Sequence, residues 1–117
     1  MTPLGVALSP AVEHNGLLAI SGQTGKINNI GGVPDSFLDE VNLAFERLED
    51  ILNEAGLSKA SVIKTTCFLT DISLFGVFDQ AYSEFFNSPY PARSTVGVQL
   101  ADSLRFEIEA WAVFSDH

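Results

Sequence analysis

The chain has 117 residues, 46% of them hydrophobic, and 15 acidic against six basic side chains give a net charge of −9. A pI near 4.3 sets it against nucleic acid and anionic membrane surfaces, so RNA and membranes are not expected as partners. The length suits one compact domain, residues 1–117, whose high mean hydropathy of +0.21 suggests an apolar surface hidden in a closed symmetric oligomer. The lone Cys67 can form no intrachain disulfide and fits a reducing compartment. No apolar run approaches the roughly 20 residues of a membrane span. Met1-Thr2-Pro3 lacks the basic start of a signal peptide, and a soluble cytoplasmic protein is expected.

In chain order, Val6 to Leu8 reads as a short extended segment, and Glu13-His14-Asn15-Gly16 as a turn, since Asn-Gly is a strong hairpin signal. Leu17 to Ser21 is a buried strand closed by Gly22, where glycine permits close approach of a ligand. An ordinary strand end explains Ser21-Gly22-Gln23 as well. Residues 24–34 form a glycine-rich connector without the spacing of a phosphate loop. Asp35 or Ser36 caps a long helix whose Phe37, Leu38, Val41, Ala44, Phe45, Leu48, Ile51, Leu52 and Ala55 recur at three- and four-residue steps, with Gly56 as its stop. The acids Asp39, Glu40, Glu46, Glu49, Asp50 and Glu54 read as its solvated face rather than as a metal or catalytic site.

Ser61 to Thr70 is rich in β-branched residues and reads as a strand, with Cys67 in phase with Ile63 and Leu69 as a core thiol. Neither His14 nor His117 is placed by sequence to activate it. A second helix runs from Leu74 to about Phe86, burying Leu74/Phe75, Phe78, Ala81/Tyr82 and Phe85. The order β-β-α-β-α-β-β predicts a mixed sheet with two helices on one face, the other face being left for a second chain to cover.

Pro91 pushes Tyr90 toward an extended conformation, so Tyr90-Pro91-Ala92-Arg93 is a loop feeding a strand over Ser94 to Leu100. Arg93 stands at that junction. It is either a fork for a carboxylate or phosphate, or a surface arginine paired with one of the chain's many acids. The last strand, Arg105 to Phe114, alternates Phe106, Ile108 and Ala110 against Glu107, Glu109 and Trp111. If the last two strands pair through the turn at residues 101–103, Arg93 and Glu107 share a sheet face. A small substrate would then bridge them, or a neighbouring subunit would complete the site.

Four blocks in this order resemble the YjgF/RidA family, also called the L-PSP family: Ile20-Ser21-Gly22-Gln23; Ala55-Gly56-Leu57 with Val62-Ile63-Lys64-Thr65-Thr66; Tyr82-Ser83-Glu84-Phe85-Phe86; and Tyr90-Pro91-Ala92-Arg93-Ser94-Thr95 with Glu107-Ile108-Glu109-Ala110. The resemblance implies a chorismate-mutase-like α/β (α+β) fold, a homotrimer with ligand clefts between subunits, and hydrolysis of small 2-imino acids to 2-keto acids and ammonia without metal or organic cofactor. By position, Arg93 would clamp the substrate carboxylate and Glu107 would orient or activate water, with Ser21, Gly22 and Thr95 lining the pocket. Two alternatives accompany this reading: an endoribonuclease, the family's other label, and a non-catalytic trimer binding small carboxylates or a protein partner. The chain departs from the family pattern at Leu8, where a tyrosine is common, and at Asp79, where an asparagine is common.

Overall fold

The computed structural model describes residues 7–27 and 31–114. Val6, residues 28–30 of the connector, and His117 lie outside the described residues. Five strands, β1 (Ala11–His14), β2 (Leu17–Thr24), β3 (Val62–Leu69), β4 (Ala92–Gly97) and β5 (Phe106–Val113), form one sheet in the order β1-β2-β5-β3-β4. Only β3 and β4 run parallel; the other neighbours are antiparallel. Two helices, α1 (Phe37–Glu54) and α2 (Phe75–Phe86), connect β2 to β3 and β3 to β4. This is the mixed α+β domain that the element order predicts.

The first hairpin turns at Asn15-Gly16, as the sequence predicts. Asn15 and Gly16 both take positive φ, 53° and 81°, as a two-residue turn between right-twisted strands requires. Pairing therefore begins directly at His14 and Leu17, and the first of the described strands is Ala11–His14. Ser36 rather than Asp35 caps α1, its side chain accepting from the Asp39 N–H at 3.2 Å. Gly56, at φ +79°, ends the helix in the left-handed region.

The expected pairing of the last two strands is not found. β5 leaves the turn after β4 and enters the middle of the sheet, between β2 and β3, while β4 takes the edge. Side chains explain the choice: Phe106, Ile108, Ala110 and Ala112 are all at most 2% exposed, whereas Ala92, Ser94 and Val96 of β4 are exposed. The more apolar strand takes the position with two neighbours. Likewise β4 ends at Gly97 instead of running to Leu100.

Phe45 of α1 is the centre of the core, with the rings of Phe85 (4.8 Å), Phe106 (5.7 Å) and Tyr82 (6.1 Å) around it. Two positions break the apolar pattern. Ile63 is exposed because the β3–β5 register shifts between Val62 and Lys64, so Val62 turns inward instead. Glu40, read as solvated, is fully buried. It lies three residues after Phe37 on the same stripe, and Arg105 neutralises it there, Nε donating to Oε1 at 2.6 Å and the backbone N–H to Oε2 at 2.8 Å.

Candidate active site

Register and alternation divide the expected site residues between the two faces of the sheet. Ile20, Ala110, Thr65 and Arg93 lie in one row beneath the helices. Three residues along from Ala110, Glu107 pairs with Thr24 and Phe68 in a row on the opposite, uncovered face. Within one chain Arg93 and Glu107 therefore do not share a face. The expected direct pairing of their strands fails because β3 stands between them.

The helix-side half is built around Arg93. Its guanidinium sits 4.6, 5.1 and 5.6 Å from the ring centres of Tyr82, Phe78 and Phe75, which follow one another at helical spacing along α2. Nη1 donates to Asp79 Oδ1 at 2.8 Å from the same helix. The arginine is thus both a paired arginine and the wall of a cleft. It borders an open pocket of about 510 Å³ with Asp79, Tyr82, Ser83, Tyr90 and Pro91. Thr95, two residues further on β4 and opposite Cys67, has a buried hydroxyl with no partner among the described residues.

Beneath the arginine, the Thr65 and Tyr82 hydroxyls share a 2.7 Å hydrogen bond. Burial pushes the Tyr82 phenol up to about 12, the Thr65 contact opposing it. Burial likewise pushes the Cys67 thiol up to about 12. Neither group is ionised at neutral pH, and Cys67 is a core thiol, not a nucleophile.

The open-face half holds Glu107 and Gly22. The β2–β5 register shifts between Ile20 and Gln23, so Ser21 and Gly22 form an irregular step in β2. A Cβ at Gly22 would overlap the Glu107 carboxylate. The glycine is needed for close approach, and what approaches in this chain is Glu107. Desolvation, and then the charge of Glu109, hold the Glu107 carboxyl above the ordinary carboxylate range. Ser21 Oγ donates to the Ser9 carbonyl at 2.5 Å, which ties the segment before β1 to this step. Nearby, Ser21, Glu109, Ala19, Val12 and Trp111 border a shallow pocket of about 330 Å³. Leu8 is exposed at 45%, and His14 lies on β1, the sheet edge opposite β4.

Sequence reasoning missed the aromatic box, because Phe75, Phe78 and Tyr82 recur as any core stripe does. It also missed the contact between Asp79 and Arg93, although the position of Asp79 on α2 was noted. Among the described residues, no cluster of three or more His, Cys, Asp or Glu is placed to hold a metal ion. Among the described residues, too, no helix is long and apolar enough to cross a membrane.

Together these features define a small α+β protein with an arginine at the edge of an open pocket on one face of its sheet and a half-buried carboxylate on the other. The chain belongs to the endoribonuclease L-PSP family, whose model matches residues 4–114, and so to the YjgF/RidA group that its four sequence blocks resemble. It is 41% identical to a RutC family protein of Aquifex aeolicus over 90% of this chain and 86% of that one. It is 38% identical to the 2-iminobutanoate/2-iminopropanoate deaminase of Rattus norvegicus, over 92% and 80% of the two chains. Escherichia coli TdcF, crystallised with bound serine, superposes with a TM-score of 0.86 at 32% identity, over 94% and 90% of the chains.

Proposed function

We propose that the protein is a hydrolase that converts small 2-imino acids to 2-keto acids and ammonia, acting as a homotrimer whose sites lie between subunits. The observation that carries the reading is Arg93, boxed by three rings at the rim of an open pocket, in a chain whose rat relative bears the name of such a deaminase. The guanidinium offers the substrate carboxylate charge-assisted bonds. The bound 2-iminium carbon is already electrophilic, so positioning and a base are what remain to be supplied. Water adds to that carbon, the C–N bond breaks, and C=NH2⁺ plus H2O becomes C=O plus NH4⁺.

Glu107 is the base in this scheme, because a carboxylate held above its ordinary range accepts a proton from water more readily. Its place on the far side of the sheet from Arg93 requires that the Glu107 of one site come from a neighbouring copy. The uncovered sheet face supports such an assembly: Val12 and Trp111 on it are 56% and 43% exposed. Ser21, Gly22 and Thr95 would line the cleft, with Gly22 admitting the Glu107 side chain. A cytoplasmic location fits the single, buried Cys67. The ribonuclease reading is disfavoured by the net charge of −9 and by the exposed His14, a full sheet width from Arg93.

Subunit complementation tests both the chemistry and the geometry. Arg93→Ala and Glu107→Gln are each expected to hydrolyse little imine generated in situ by an amino-acid oxidase. Sedimentation equilibrium of each should give about three times the 12.6 kDa chain mass. When the two variants are mixed and reassociated, about a quarter of the wild-type activity should return, from clefts that receive one intact residue from each chain. Trimers shown to have exchanged subunits without regaining activity would overturn the shared cleft. Wild-type rates from folded Arg93→Ala would overturn the clamp.

A further inference from the structure

We propose that Asp79 is a specificity-determining residue: it holds the Arg93 clamp as a neutral pair and so selects ligands with a positive nitrogen beside their carboxylate over plain carboxylates. This rests on the reading of Arg93 as a carboxylate clamp. Asp79 and Arg93 face each other from α2 and β4, joined by one hydrogen bond of 2.8 Å from Nη1. The Arg93 side chain is 22% exposed and that of Asp79 is 49% exposed, so the carboxylate stands at the mouth of the pocket that both residues line.

Among the described residues, Asp79 is the only acidic partner within salt-bridge distance of Arg93. One nitrogen of the fork is therefore already engaged, and the rings of Phe75, Phe78 and Tyr82 cover the guanidinium. What a ligand meets is a cation and an anion side by side. A plain carboxylate binding Arg93 comes up against the Asp79 carboxylate, and repulsion offsets much of its attraction to the guanidinium. A ligand with an ammonium or iminium group on the carbon next to its carboxylate meets both charges with their opposites.

The consequence for turnover follows from the change in charge during the reaction. The 2-iminium acid is a zwitterion, and the 2-keto acid that replaces it is an anion. Hydrolysis removes the group that Asp79 attracts, so the product leaves a site that held the substrate. The same carboxylate keeps the positive iminium form, the form that water attacks, favoured at the site.

Calorimetric titration with L-2-aminobutyrate and 2-ketobutyrate, which share a carbon skeleton and differ in the positive nitrogen, tests the proposal. The wild type should bind the amino acid more tightly than the keto acid. Asp79→Asn should move the ratio of the two Kd values about tenfold or more toward the keto acid, Asp79→Glu should keep the wild-type order, and Arg93→Ala should lose both ligands. Circular dichroism checks the fold of each. Arg93-dependent binding whose ratio is the same in wild type and Asp79→Asn would overturn the role of Asp79 and leave the clamp standing. So would a wild type that binds the keto acid as tightly as the amino acid, a result that needs no variant. Absence of Arg93-dependent binding of either ligand would overturn the clamp and this proposal with it.

Discussion

Two arginine–carboxylate pairs in this molecule have the same chemistry and opposite completeness. Arg105 gives Nε and its backbone N–H to Glu40 and reaches the carbonyls of Pro34 and Asp35 through Nη2, and the carboxylate it serves is fully buried. Arg93 makes one hydrogen bond to an acid that is half exposed, beside an open pocket. The first pair engages both oxygens of its carboxylate and joins the start of α1 to the start of β5. The second has donors to spare and a cleft in front of them. What separates the two pairs is the carboxylate, fully buried and bonded at both oxygens in one, half exposed and bonded at one oxygen in the other.

Stability measurements would break this comparison most directly. Arg105→Ala leaves the buried Glu40 with the backbone N–H of residue 105 but without the guanidinium, and should cost about 3 kcal/mol or more in urea denaturation at fixed protein concentration. Arg93→Ala removes a partly exposed pair and should cost under about 1 kcal/mol while abolishing ligand binding. Equal losses of stability would erase the distinction between the two arginines.

Gly22→Ala probes the second half of the site. The new methyl group displaces a flexible carboxylate rather than backbone, so the fold should survive. Imine turnover should nevertheless fall by roughly tenfold or more as Glu107 swings from its place. Unchanged kcat in a folded variant would detach Glu107 from the chemistry.

The smallest expected effect is one of pH. The folded state holds the Glu107 proton more tightly than the unfolded chain does, because burial raises its affinity. Stability therefore falls as pH rises through the interval between the unfolded value and the raised folded one, and the cost is fully present above it. Glu107→Gln should accordingly melt slightly above wild type at pH 7 to 8, and the gap should close as pH drops below the ordinary carboxyl range. A variant that melts lower at neutral pH would show that Glu107 stabilises the fold, against its role as a strained base.

Both helices were legible because periodicity reports burial directly: Val41, Ala44, Phe45, Leu48 and Leu52 leave no other reading. Arg93, Glu107, Ser21, Gly22 and Thr95 could be named in advance because the blocks that contain them resemble a known family. Their distribution over two sheet faces could not be named, since it follows from the register of β5 on β3 and of β3 on β4, and that register exists only once β3 has come between the other two. Glu40 was misread for a related reason. A carboxylate on an apolar stripe is buried only if a partner arrives from elsewhere, and Arg105 is 65 residues away. Asp79 and Arg93, 14 residues apart on α2 and β4, meet only because α2 returns the chain to the edge beside β3.

The central position of β5 bears on how the molecule is made. It is the last of the described strands to leave the ribosome, yet it supplies the common neighbour of β2 and β3. Until residues 106–113 emerge, the β1–β2 hairpin and the β3-α2-β4 unit lack their shared sheet neighbour, and β2 and β3 each present a bare strand edge. Closure of the sheet during synthesis must wait for this last of the described strands, and the interval is when this acidic, apolar chain is most open to pairing with the wrong partner.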